Sequence, residues 1–129
     1  MRDLKFVEPT LLPTRKRPSV TIRVGEKWAD LRPGDKVRVV SCYNPHRGDC
    51  IFAGEPGSAK FGRPCVVHGV AEIKQVVTCD LHKAPARLLE YAHNPKCRTY
   101  SGMCDVLEGI YGESLGQEKI VLILFEMVD

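Results

Sequence analysis

Arg15, Lys16 and Arg17 stand in a row before Ser19, Thr21 and Arg23, and Lys27 follows shortly after. An arginine fork matches a phosphate bidentately and a lysine adds a point charge, so these groups around one strand start would seat a nucleic-acid backbone. The hydroxyls of Ser19 and Thr21 are suited to donate to phosphate or base edges. The run from Arg15 to Val39 holds eight basic residues in twenty-five. A solvated strand face would have the same composition, and Glu26 and Asp35 are alternative ion-pair partners for Arg23.

The distribution of charge supports an anionic partner. Residues 1 to 38 hold ten Lys or Arg against five Asp or Glu, a net +5 within a chain whose total is +3. Clustered charge of one sign raises the local concentration of counter-ions and their rate of association. Trp28, Tyr43 and Tyr100 offer rings on which bases could stack; for Trp28, beside Ala29 and Leu31, a place in the core is the simpler reading.

Six cysteines, Cys42, Cys50, Cys65, Cys79, Cys97 and Cys104, contain no Cys-x-x-Cys. Cys65 and His68 fall in a strand-like stretch, where residues three apart point to opposite faces and do not readily share an ion. Cys42, His46, Cys50 and Cys97 remain as a set that could converge with another histidine on zinc. Buried or idle thiols are the simpler expectation, with no metal and no cofactor.

These groups need elements to position them. Val20, Ile22 and Val24 alternate with Thr21 and Arg23, the period of a half-buried strand whose polar face carries Thr21 and Arg23. The stretch Arg32-Pro-Gly-Asp35 is a turn leading to a second strand, with Val37 and Val39 on one face and Lys36 and Arg38 on the other, where they would extend the basic surface. Residues 43–62, rich in Gly and Pro without sustained period, form a long loop excursion. A long strand, or two with a bend at Gly69, runs over 64–78. The spacing of Pro85, Leu88, Leu89 and Ala92 predicts a short helix over 84–92. Met103, Val106, Leu107 and Ile110 predict a second, stopped by Gly112. The final apolar run, rich in β-branched residues, is a central strand buried on both faces.

That order gives one domain of 129 residues in the α+β class, a small curved sheet or barrel flanked by helices. The longest apolar run, Ile120 to Val128, is nine residues broken by Glu126, against about 20 needed to span a bilayer. The N-terminus lacks the apolar core of a secretory signal. No membrane association and a cytoplasmic location are the expectation.

The first thirty-odd residues after Leu4, with the Thr21-Ile-Arg23 strand and the Pro33-Gly-Asp35 turn, the later Gly109-Ile-Tyr-Gly112, and the last apolar strand containing Phe125 resemble an ASCH domain of the PUA-like group. The likeness covers about two-thirds of the chain; residues 43–62 and the region around His93 to Tyr100 match poorly. It implies a small PUA-like β-barrel with a cleft for RNA or a nucleoside-like ligand. That cleft is associated with a Lys, a Thr or Glu, and an Arg at fixed spacing. Thr21 and Arg23 stand at the second and third of those positions, whereas Pro18 stands at the first, and proline has no side-chain nitrogen to act as base or nucleophile.

Two function classes follow. One is an RNA- or nucleotide-binding module that uses the basic cleft without catalysis. The other is a hydrolase, a ribonuclease or an acylcytidine amidohydrolase, in which Thr21 or a nearby Lys acts with a later carboxylate, Glu90 or Glu72. A protein-interaction domain using the 43–62 loop is a third, plainer reading.

Overall fold

The computed structural model describes residues 1–6, 17–41, 65–112 and 119–128. Five strands form one mixed sheet: β1 (Arg2–Phe6), β2 (Ser19–Val24), β3 (Lys36–Ser41), β4 (Val66–Asp80) and β5 (Lys119–Met127). Between β4 and β5 come a 3-10 turn (Leu81–Lys83), the single-turn helix α1 (Ala86–Leu89), a second 3-10 turn (Pro95–Arg98) and helix α2 (Tyr100–Tyr111). The sheet order is β1-β3-β4-β5-β2, with β1 parallel to β3 and the other neighbours antiparallel. Although β1 and β2 are its two ends, an Arg23 side chain on β2 reaches the backbone of Lys5 on β1. The sheet is therefore curled into a half-barrel whose edges meet at a seam.

The curl follows from β4, which is fifteen residues long and serves two neighbours in succession. Its pairing with β3 passes from Gly69 to Val67 without a partner for His68. Its pairing with β5 passes from Ile73 to Gln75 and skips Lys74. Such extra residues bend a strand and raise its twist, which turns a flat ribbon toward closure. The bend expected at Gly69 thus sits beside the first bulge.

The last strand is buried on both faces, as its apolar run predicts. Val121, Ile123 and Phe125 join Leu4, Phe6, Val37, Val39 and Ile73 inside the curl. Ile120 and Leu122 point the other way, onto Leu88, Leu89, Met103 and Leu107 of the helical layer. Trp28 lies in the inner core, with the Arg2 guanidinium 4.1 Å from its ring centre.

Two helix expectations change in detail. The stretch over 84–92 yields one helical turn, because Ala92 is drawn into a parallel bridge with Val20. The Val20 amide donates to the Tyr91 carbonyl and the His93 amide to the Val20 carbonyl, satisfying the outer edge of β2. Helix α2 ends at Gly112, whose φ of 64° is the left-handed stop. Its buried stripe runs through Met103 and Leu107 and is extended by Cys104, Val106 and Tyr111, while Ile110 is exposed. No helix among the described residues is long and apolar enough to cross a membrane.

Candidate functional site

The alternation of β2 is as expected, but its polar face is not a solvated one. Ser19, Thr21 and Arg23 are paired with Phe125, Ile123 and Val121, whose side chains fill the inside of the curl. Both faces of β2 are covered, one by the helical layer and the other by the half-barrel interior. Ser19 and Thr21 are accordingly only 3% and 2% exposed. Sequence period separates two faces of a strand but does not say which one meets water.

Arg23 is the centre of this row. Its Nη2 donates to the Lys5 carbonyl at 2.8 Å, and its guanidinium carbon lies 5.2 Å from the ring centre of Phe6. Its Nε is buried without a hydrogen-bond partner among the described residues. Neither Glu26 nor Asp35 bridges to it; the Asp35 carboxylate accepts from the Arg32 amide, closing the turn. Burial lowers the Arg23 pKa to about 10, a shift that the Tyr111 phenol only partly opposes. The side chain remains a cation at neutral pH. A buried donor left unmatched costs about 1–3 kcal/mol, so an acceptor brought by a ligand would recover that amount.

Aromatic groups complete the surroundings. The His93 ring meets Phe6 edge-on at 4.8 Å, and Phe6 lies 6.3 Å from Phe125. His93 is held there because its backbone is strapped to Val20 on the outer edge of β2. Cation, two hydroxyl-bearing residues and aromatic rings therefore share one end of the seam. Phe6, Ser19 and Thr21 are buried, so the groups partly open to solvent here are Arg23, whose N–H donors suit a carbonyl or phosphoryl oxygen, and the His93 ring.

The remaining predicted residues are distributed differently. Arg17 is exposed just ahead of β2, and Pro18, half-buried, separates it from Ser19. Lys27 is exposed in the turn after β2, its Nζ 6.0 Å from the Trp28 ring and its carbonyl accepting from Arg2. Arg15 and Lys16 lie outside the described residues, as do Tyr43 and the expected loop over 43–62. Arg38 is bound to the Asp3 carboxylate through Nε at 2.7 Å and Nη2 at 3.0 Å, so its charge is compensated rather than added to a basic surface.

Of the carboxylates weighed for catalysis, Glu90 is exposed at the C-terminus of α1, while Thr21 is buried. Glu72 accepts from Lys74, which pulls its carboxyl below the usual range. Cys65 and Cys97 are buried, and Cys97 is a free thiol. Cys42, His46 and Cys50 lie outside the described residues, and no metal-binding group of His, Cys, Asp or Glu occurs among the described ones.

Sequence reasoning did not single out Phe6 and His93. Neither carries a local signal, because one lies in β1 and the other beyond α1, and only curling of the sheet brings their rings together. Comparisons with protein-family models, with curated proteins and with solved structures give no match.

Proposed function

We propose that this chain is an RNA- or nucleotide-binding module built as an ASCH-like, PUA-like half-barrel. The ligand enters at the seam between β1 and β2. The observation that carries this reading is the part-buried Arg23 side chain, whose buried Nε–H has no acceptor among the described residues. Proteins rarely leave a buried cationic donor unmatched unless it serves a ligand or mechanism. In this reading Arg23 binds a base carbonyl or a phosphate oxygen, Ser19 and Thr21 contribute hydroxyls, and Phe6 and His93 bound a planar ring. Arg15, Lys16, Arg17 and Lys27 add attraction along the backbone of an incoming strand.

Binding is favoured over hydrolysis because a nucleophilic Thr21 needs a base within hydrogen-bond reach. Glu90 is exposed at a helix end and Glu72 is occupied by Lys74.

Calorimetric titration with short single-stranded RNA and with nucleoside monophosphates tests the reading. Wild-type protein should bind, and Arg23→Met should lose at least tenfold in affinity, about the worth of one charge-assisted hydrogen bond. Equal affinity in the two proteins, or no binding by the wild type, overturns it.

A further inference from the structure

A second cationic surface lies on the helical side of β2. Residues 81 to 99 hold Lys83, Arg87, Lys96 and Arg98 against the single carboxylate of Glu90. The apolar members of this segment, Leu88, Leu89, Ala92 and Cys97, are buried on the sheet, while its basic members are exposed. Arg87 lies on α1, and Lys96 and Arg98 lie on the 3-10 turn that α1 touches. The Arg98 Nε donates to the Ala92 carbonyl at 3.1 Å, fixing the turn to the residue that bridges Val20.

Several cations elsewhere are held in ion pairs, whereas three of this segment are not. Arg2 is paired with Asp30, Arg38 with Asp3, Lys74 with Glu72, and Lys119 with Asp80, which also faces Lys83. Arg87, Lys96 and Arg98 take part in no ion pair among the described residues. Helix α2 begins directly after them with no acidic residue in its first turn, so its positive end adds to the same field. Tyr91 in this segment and Tyr100 directly after it are 41% and 48% exposed. Cations interleaved with exposed aromatics suit a single strand, whose phosphates they pair and whose bases they stack.

We propose that the surface formed by Arg87, Lys96, Arg98, Tyr91 and Tyr100 carries the backbone of a single-stranded RNA, a segment of which reaches the Arg23 seam. This rests on the binding function proposed above and narrows it: the ligand is a strand and not a free nucleotide. The two places are continuous through the backbone, since Tyr91 and His93 flank the bridge to Val20, and His93 touches Phe6 at the seam.

The test compares a mixed-sequence RNA of about a dozen nucleotides with a nucleoside monophosphate, each titrated from about 50 to 200 mM salt. The proteins are wild type, Arg23→Met and the double variant Arg87→Gln, Lys96→Gln, all checked for folding by circular dichroism. Arg98 is left intact because it holds Ala92. The strand should bind at least tenfold more tightly than the monophosphate. The double variant should bind the monophosphate as wild type does, while its strand affinity falls and its log–log salt slope becomes shallower by about 1 to 1.5, the contribution of two phosphate contacts. An unchanged slope, or equal affinity of wild type for strand and monophosphate, overturns the strand surface while leaving the seam standing. Absence of binding to either ligand overturns the seam and the strand surface together.

Discussion

The Arg23 guanidinium ties β2 to β1 by donating from Nη2 to the Lys5 carbonyl at 2.8 Å. These strands are the two ends of the sheet, so one side chain on β2 spans the opening of the half-barrel. The side chain is part-buried, and its Nε is buried and unmatched among the described residues. Such a residue is a poor contributor to stability and is explained better by what it can bind.

Replacing it should therefore separate stability from function. The folded-state pKa of Arg23, about 10, lies below its ordinary value because burial opposes the charged form. Between about pH 10 and the ordinary arginine pKa the unfolded chain binds more protons than the folded one, and stability rises with pH there; below that window the full cost of desolvating the charge is present. Arg23→Met removes the cost and keeps the bulk. Its unfolding free energy at pH 7, measured in urea, should equal or exceed wild type by about 1–3 kcal/mol, while ligand affinity falls. A variant that is less stable by more than about 1 kcal/mol would make Arg23 a structural clasp.

Gly102 marks the tightest packing of the helical layer. A Cβ placed there would lie 1.9 Å from the Lys96 carbonyl oxygen, a backbone atom that cannot swing aside. Gly102→Ala should cost about 1–3 kcal/mol of stability despite the better helix propensity of alanine. Thr99→Ala, which removes the hydroxyl that accepts from the Gly102 amide, should cost about 1 kcal/mol. Denaturant titration of the two variants measures both effects.

The surface ion pairs predict the pH limits of the fold. Hydrogen bonds from Arg2, Lys74 and Lys119 hold Asp30, Glu72 and Asp80 below the usual carboxylate range. Their contribution is present above the unfolded carboxylate pKa of about 4 and is lost as pH falls through the lowered folded values. Conversely, Lys74 and Lys119 are raised by the bonds they donate to Glu72 and Asp80, so their share is present below an unfolded pKa of about 10.4 and disappears as pH climbs through the folded values. Melting temperature followed across pH should fall on both sides of neutrality. Lys74→Met and Lys119→Met should each flatten both limbs.

Burial pushes the Cys97 thiol above its ordinary pKa. The thiolate is the reactive form, so Cys97 should be alkylated by iodoacetamide far more slowly in the native protein than in urea. Peptide mass spectrometry at timed intervals gives that rate directly.

Much of the fold follows from local periods. The strands around Val20 to Val24, Val37 to Val39 and Ile120 to Phe125, and the helix ending at Gly112, lie where their spacing places them, because a side-chain period of two or 3.6 is a property of adjacent residues. The long strand and its bend at Gly69 were legible for the same reason. The 84–92 stretch was legible only in part: its helical turn forms at Ala86–Leu89, but Ala92 answers to Val20, a residue more than seventy positions away.

The sequence by itself determined which residues alternate on β2 and that Arg23 shares a face with Ser19 and Thr21. Only the tertiary structure decided that this face turns inward, that Phe6 and His93 meet beside it, and that Arg38 is spoken for by Asp3. The reason is physical: periodicity is written along the chain, whereas burial, charge compensation and the closing of a seam depend on which distant segments the curl of the sheet brings into contact.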